Sequence, residues 1–190
     1  MNRTWLLVLS LVALSFAFGC SDPTAPSAGQ VQVRLTDAPI DLSDVTAVNV
    51  TIESLELFEA GATDDEGTAM NRSGVVTGEG LTLNLLDFQN GESILVATLD
   101  APAADYTKVR MHIASAELVR PDPNDPALSI VEPIFVPSGK VDIPVPFSVA
   151  GGETTDILLD FDAALSVQVN ETPGQHRYIL RPVIVPISIH

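Results

Sequence analysis

The chain has 190 residues, 25 of them acidic and 9 basic, for a formal charge of −16. An excess of that size repels phosphate backbones and anionic head groups, which argues against nucleic acid and is compatible with cations or basic partners. The single cysteine, Cys20, excludes an intramolecular disulfide, and the length suits one domain with a sizeable core.

Arg3 precedes an uncharged run over residues 5–18. That run is too short for a membrane span of about 20 apolar residues, and it is built like a secretory signal. It closes on Ala17-Phe18-Gly19-Cys20, which resembles a bacterial lipobox with Ala17 where leucine is usual. Residues 1–19 are then a lipoprotein signal peptide and Cys20 the lipidated amino terminus. Residues 20–29 carry Pro23, Pro26 and no large apolar side chain, so they read as a flexible tether. Ser21 after the cysteine favours the outer membrane or cell surface. The expectation is a protein of the bacterial cell envelope, membrane-anchored through Cys20. Cleavage removes Arg3 and no acid, so the mature chain is more acidic still.

The domain begins with two alternating runs. Val31, Val33 and Leu35 share one parity around Gln32 and Arg34, and Val48, Val50 and Ile52 repeat this around Asn49 and Thr51. Period two marks half-buried strands. Between them Asp37-Ala38-Pro39, Asp41, Ser43 and Asp44 supply turn chemistry. Past Ile52 the apolar parity moves to Leu55 and Leu57, so a bulge is expected near Glu53-Ser54. Residues 61–80, with five glycines, read as a loose polar loop. Residues 81–88 and 94–99 read as strands joined in a hairpin across Asn90-Gly91, and residues 99–104 as a turn of helix at most. A long strand over 106–119 puts Val109, Met111 and Ile113 on one face, with Arg110 and His112 on the other. After the acidic loop RPDPNDP at 120–126 come strands at 130–136, 141–149, 157–161, 166–169 and 178–187. Pro144 and Pro146 alternate with Ile143, Val145 and Phe147, which assigns 141–149 to a sheet edge. About ten short strands at regular spacing predict an all-β fold, an antiparallel β-sandwich over residues 30–190; a closed β-barrel is the alternative.

Six phrases carry a family resemblance. They are Leu35-Thr36-Asp37-Ala38-Pro39, Val45-Thr46-Ala47-Val48-Asn49-Val50-Thr51-Ile52 and Leu83-Asn84-Leu85-Leu86-Asp87, followed by Val136-Pro137-Ser138-Gly139, Leu159-Asp160-Phe161-Asp162 with Ser166, and Leu180-Arg181-Pro182-Val183-Ile184. In this order they resemble the prokaryotic lipoproteins called domain of unknown function 4382. The resemblance implies an envelope-anchored β-sandwich and brings no activity with it. The region after Phe58 lacks a tryptophan frequent in that family, and a glycine-lysine phrase is reduced here to Lys140.

Asp160 and Asp162 fall on one face of a strand, opposite Ile157, Leu159 and Phe161. Residues two apart lie about 6.6 Å apart along a strand, a separation that suits paired carboxylates. Sugar enzymes also offer aromatic platforms, whereas the only tryptophan, Trp5, lies in the leader and Tyr106 and Tyr178 are the only tyrosines. No serine sits in a glycine elbow, and His112, His176 and His190 have no metal-ligand spacing. Asp64-Asp65-Glu66-Gly67 and Asp122-Pro123-Asn124-Asp125 are acid-rich but do not follow the EF-hand pattern. No catalytic residue, cofactor or metal is therefore expected. Arg181 shares parity with Val183, Val185 and Ile187, which points it inward, where a guanidinium needs a carboxylate. Asp37, Asp160 and Asp162 are its candidate partners, and the four residues are expected to form a structural polar cluster. The functional expectation is a lipid-anchored, non-enzymatic interaction or structural module whose partner is an unidentified protein or carbohydrate. The alternative is a carbohydrate- or Ca2+-binding surface lipoprotein.

Overall fold

The computed structural model of the chain describes residues 27–38, 44–63, 69–75, 80–172 and 177–190, with backbone alone for 62–63 and 69–75. Cys20 and its leader, the tether up to residue 26, Pro39, Asp41, Ser43, the 64–67 acid segment and His176 lie outside the described residues.

Alternation in the sequence becomes alternation in burial. Val31, Val33 and Leu35 on β1 (Ala28–Thr36) are buried, and Gln32, Arg34 and Thr36 occupy the other face. The same rule builds β2 (Ala47–Thr63), β3 (Ala69–Val75), β4 (Leu81–Asn84), β5 (Ile94–Pro102), β6 (Ala104–Pro121) and β7 (Ser129–Phe135). It continues through β8 (Lys140–Val149), β9 (Thr154–Phe161), β10 (Val167–Val169), β11 (Tyr178–Leu180) and β12 (Ile184–Ile189), with a one-turn helix α1 (Ala163–Ser166) after β9. The smaller sheet has the order β12-β9-β1-β5. The larger runs β10-β11-β7-β6-β2-β3, with β4 on β2 and β8 on β6. One apolar core lies between them, drawn from both sheets. The fold is all-β, as expected.

Several expectations hold at the level of single residues. Ile52 pairs with Ile113 and Ser54 with His112, leaving Glu53 without an opposite number, so the bulge that moves the inward parity to Leu55 is present. β6 carries Val109, Met111 and Ile113 into the core. Pro144 and Pro146 are exposed on β8, which pairs only with β6 among the described strands. A proline offers no N–H to a further strand, so such an edge is protected from uncontrolled pairing. On one side of β6, pairing passes from β8 to β7 near Ile113, whose N–H donates to Gly139 O at 2.7 Å. Gly139 has φ +61°, and a Cβ there would lie 3.1 Å from the Ile113 carbonyl, so glycine permits this crossing.

Other expectations are corrected. The sheets are mixed: β1 runs parallel to β9, and β11 to β7. Alternation reports which face is buried, not which way the neighbour runs. Residues 69–75 within the expected loose loop form β3, antiparallel to β2. Residues 81–99 are no hairpin. Asn90 and Gly91 do adopt positive φ of 59° and 92°, and Glu92 N–H reaches Gln89 O at 3.2 Å, so the turn chemistry is real. However, β4 ends in a 3-10 turn at Leu85–Phe88, and β5 then joins the other sheet against β1. Residues 99–102 extend β5 instead of turning as helix, and α1 fills the gap between the expected strands at 157–161 and 166–169, taking in Ser166. β11 stops at Leu180 and β12 starts at Ile184 in the opposite sheet, so 178–187 is not one strand.

Candidate functional site

The parallel pairing of β1 and β9 assembles the acidic cluster. Parallel strands bring their carboxyl ends to the same edge of a sheet, and the register sets Thr36 opposite Asp160. Asp37, directly after β1, therefore meets Asp160 and Asp162 at the end of β9. Asp37 is only 3% exposed. Its Oδ1 accepts from Ala163 N–H at 2.9 Å and its Oδ2 from the Gln89 side-chain amide at 3.2 Å. Burial pushes its pKa up; those two hydrogen bonds oppose the rise, and the charges of Asp160 and Asp162 add to it.

Asp162 caps α1: its Oδ1 accepts from Leu165 N–H at 2.8 Å, satisfying one of the helix's free donors. Its own N–H donates to Val183 O at 3.0 Å. Ser166, fully buried, donates its hydroxyl to Asp162 O and accepts from Val183 N–H at 2.8 Å. Asp160 has one carboxylate oxygen buried without a hydrogen-bond partner. Burial raises its pKa, Asp162 adds to the rise, and the Ala38 amide counters it.

Arg181 does not join this cluster. It is exposed, and its backbone N–H donates to Ser166 O at 2.8 Å. Its predicted inward direction assumed one strand over 178–187, and the break at 181–183 cancels that parity. Three carboxylates gather without an arginine, held by amide donors. Oxygens of Asp37 and Asp162 hold the backbone of α1, which makes the cluster a buttress. Among the described residues no group of three or more His, Cys, Asp or Glu is placed to hold a metal ion. In the 122–128 loop the carboxylates fold the loop itself: Asp122 accepts from Asn124 N–H at 2.8 Å and Asp125 from Ala127 N–H at 3.1 Å. His112 is half-buried on β6, with Nε2 3.0 Å from Glu56 Oε1.

On its far side α1 helps wall a cleft of about 580 Å³, within the usual range for binding pockets of about 300–1,000 Å³. Ala163 and Ala164 form one wall, with Val167 and Val169 of β10 beside them. Pro121, Pro123 and Pro126 add to the apolar lining, and Arg120, Arg177 and Tyr178 line it together with the acids Asp44 and Asp122. Arg120 and Glu132 lie diagonally across the β6–β7 pair. Nε and Nη2 of Arg120 reach the two Glu132 oxygens at 3.2 and 3.0 Å. Arg177 Nη1 approaches the same carboxylate at 3.4 Å, and its guanidinium lies 5.2 Å from the centre of the Tyr178 ring. The Arg120 guanidinium chiefly holds the Glu132 carboxyl below its ordinary value, aided by the Tyr178 hydroxyl and by Arg177. Burial, then Glu132, raises the Tyr178 hydroxyl. The array carries one net positive charge on an acidic protein.

Sequence reading missed this cleft. Arg120 read as the start of a loop, and Arg177 and Tyr178 come beside Arg120 only through β11 pairing with β7. The available signal was Glu132, a lone acid in an otherwise apolar run.

No curated protein matches the chain. The family model described as domain of unknown function (DUF4382) matches residues 28–182, most of the sequence and β1 through β11, and the chain belongs to that family.

Proposed function

We propose that the protein is a lipid-tethered module of the bacterial cell envelope that acts by binding a partner protein, without catalysis, through the cleft beside α1. The observation that carries this reading is the cleft's construction. Its walls are largely apolar, its charged array is fixed by mutual hydrogen bonds, and the buried Asp37 with the half-buried Asp162 stiffens the helix that forms one side. Rigid apolar walls with a few oriented polar groups are what recognition requires. A carbohydrate is less well served, because Tyr178 is only 7% exposed and offers no open aromatic face. The tether rests on the uncharged run ahead of Cys20 and on that residue being the sole cysteine.

Lipid burial contributes about 0.8 kcal/mol per methylene, and stable anchoring takes more than one acyl chain. Cys20→Ser is therefore expected to move the protein from the membrane pellet to the soluble fraction on fractionation of expressing cells. A serine variant that still sediments with membranes and resists salt washing refutes the tether.

A further inference from the structure

We infer that the cleft receives an extended segment of a partner polypeptide as a strand added along β10, a reading that rests on the binding role proposed above. β10 ends the larger sheet and pairs with β11 alone among the described strands. In an antiparallel pair, bonded and non-bonded positions alternate. The flanking bonds fix the phase: Arg181 N–H donates to Ser166 O at 2.8 Å, and Asn170 N–H to Arg177 O at 2.7 Å. Residues 166, 168 and 170 therefore face β11, while Val167 and Val169 turn their backbone groups outward. The Val167 N–H is used within the helix turn, on Ala163 O. The Val167 carbonyl and both backbone groups of Val169 are left for another chain. One incoming residue can donate to Val167 O and accept from Val169 N–H, which is the bonding unit of a parallel strand.

The edge is short, but it lacks the proline or charge that guards the others. β8 carries Pro144 and Pro146 and β12 carries Pro186, whereas β10 reads Val-Gln-Val, without proline or charge. Val169 is 62% exposed and stands opposite Tyr178 in a non-bonded pair, where cross-strand side chains come closest. An added strand lays alternate side chains over that apolar wall. Arg177 gives the charge preference: its side chain is 61% exposed, and its contacts are a long one of 3.4 Å to Glu132 and the Tyr178 ring, so its guanidinium stays open to an incoming acid. Asp44 and Asp122 also line the cleft and disfavour a second acid. The ligand class is an extended peptide with apolar residues at alternate positions and one acidic residue near Arg177.

The test is to select peptides from a random dodecamer display library on the full-length chain, then measure the synthetic peptides by titration and amide hydrogen exchange. Strand addition predicts alternating apolar residues with one acid, slowed exchange at the Val169 amide, and at least tenfold weaker binding when alternate peptide amides are N-methylated. N-methylation leaves the protein untouched, so a folding defect cannot mimic the effect. Peptides that tolerate N-methylation but lose binding to Val169→Arg overturn strand addition and leave cleft binding standing. A selection that enriches nothing, or peptides indifferent to both changes, overturns both readings. Concentration-dependent dimers abolished by Val169→Arg overturn the partner peptide in favour of a second copy of this chain.

Discussion

Replacing Asp37 with alanine is expected to lower the stability of the fold by about 3 kcal/mol at neutral pH, because it leaves two donors without a partner, one buried and one half-buried. One is the Ala163 N–H at the start of α1 and the other the Gln89 side-chain amide. The loss is partly offset, since the carboxylate removed is one that burial and its two acidic neighbours hold above its ordinary pKa. Asp37→Asn keeps one acceptor and should cost less. Acid then separates the contributions. Asp37 and Asp160 have folded pKa values above their unfolded ones, so the native state binds protons first as pH falls and stability rises through that window. Asp142 and Glu132 are held below their ordinary values by arginine partners, so their contribution is present at neutral pH and lost on further acidification. Urea midpoints should therefore climb and then fall on the way down, and Asp37→Asn should flatten the climb. Calcium should shift the wild-type midpoint little, because both Asp37 oxygens and Oδ1 of Asp162 are already spent on amides. An alanine variant as stable as wild type, or a strong calcium response that it loses, refutes the buttress.

Phe161→Ala is expected to cost about 4 kcal/mol, the range for emptying a large aromatic site in a core. Phe161 is fully buried on β9, paired with Ile184 across the β9–β12 ladder. Its sequence neighbour Asp162 gives the contrast. Asp162→Ala removes a helix cap and should cost about 1 kcal/mol. Adjacent residues thus differ several-fold because the strand sends one side chain into the core and the chain turns at the next. Equilibrium unfolding of the two variants side by side checks this. Equal losses would mean that Asp162 holds far more than α1.

These cases also mark where sequence reading succeeds and where it stops. Val31, Val33 and Leu35 announce an inward face because only burial rewards such alternation, and the bulge at Glu53 shows as a change of parity. The gathering of Asp37, Asp160 and Asp162 was legible in part: each lies at a strand end, where turn chemistry places acids. What brings them together is the parallel pairing of β1 with β9, separated by more than a hundred residues, and no local pattern encodes it. Arg181 misled because parity holds only while a strand continues, and Arg181-Pro182-Val183 crosses between sheets. The Arg120–Glu132–Arg177–Tyr178 array was hidden for the same reason, since its members come from three strands.

The central claim, that the cleft beside α1 is where this protein meets its partner, is tested most directly by site-specific photo-crosslinking of the full-length chain in its own cells. A photoreactive residue is placed at Val169, and a control at Thr98 on the exposed face of β5. The account predicts a discrete protein adduct from Val169, its attachment point mapping to one short segment of the partner, absent from Thr98 and lost when Arg177→Glu reverses the charge in the cleft. Adducts of equal yield from both positions, or none from Val169, would contradict it.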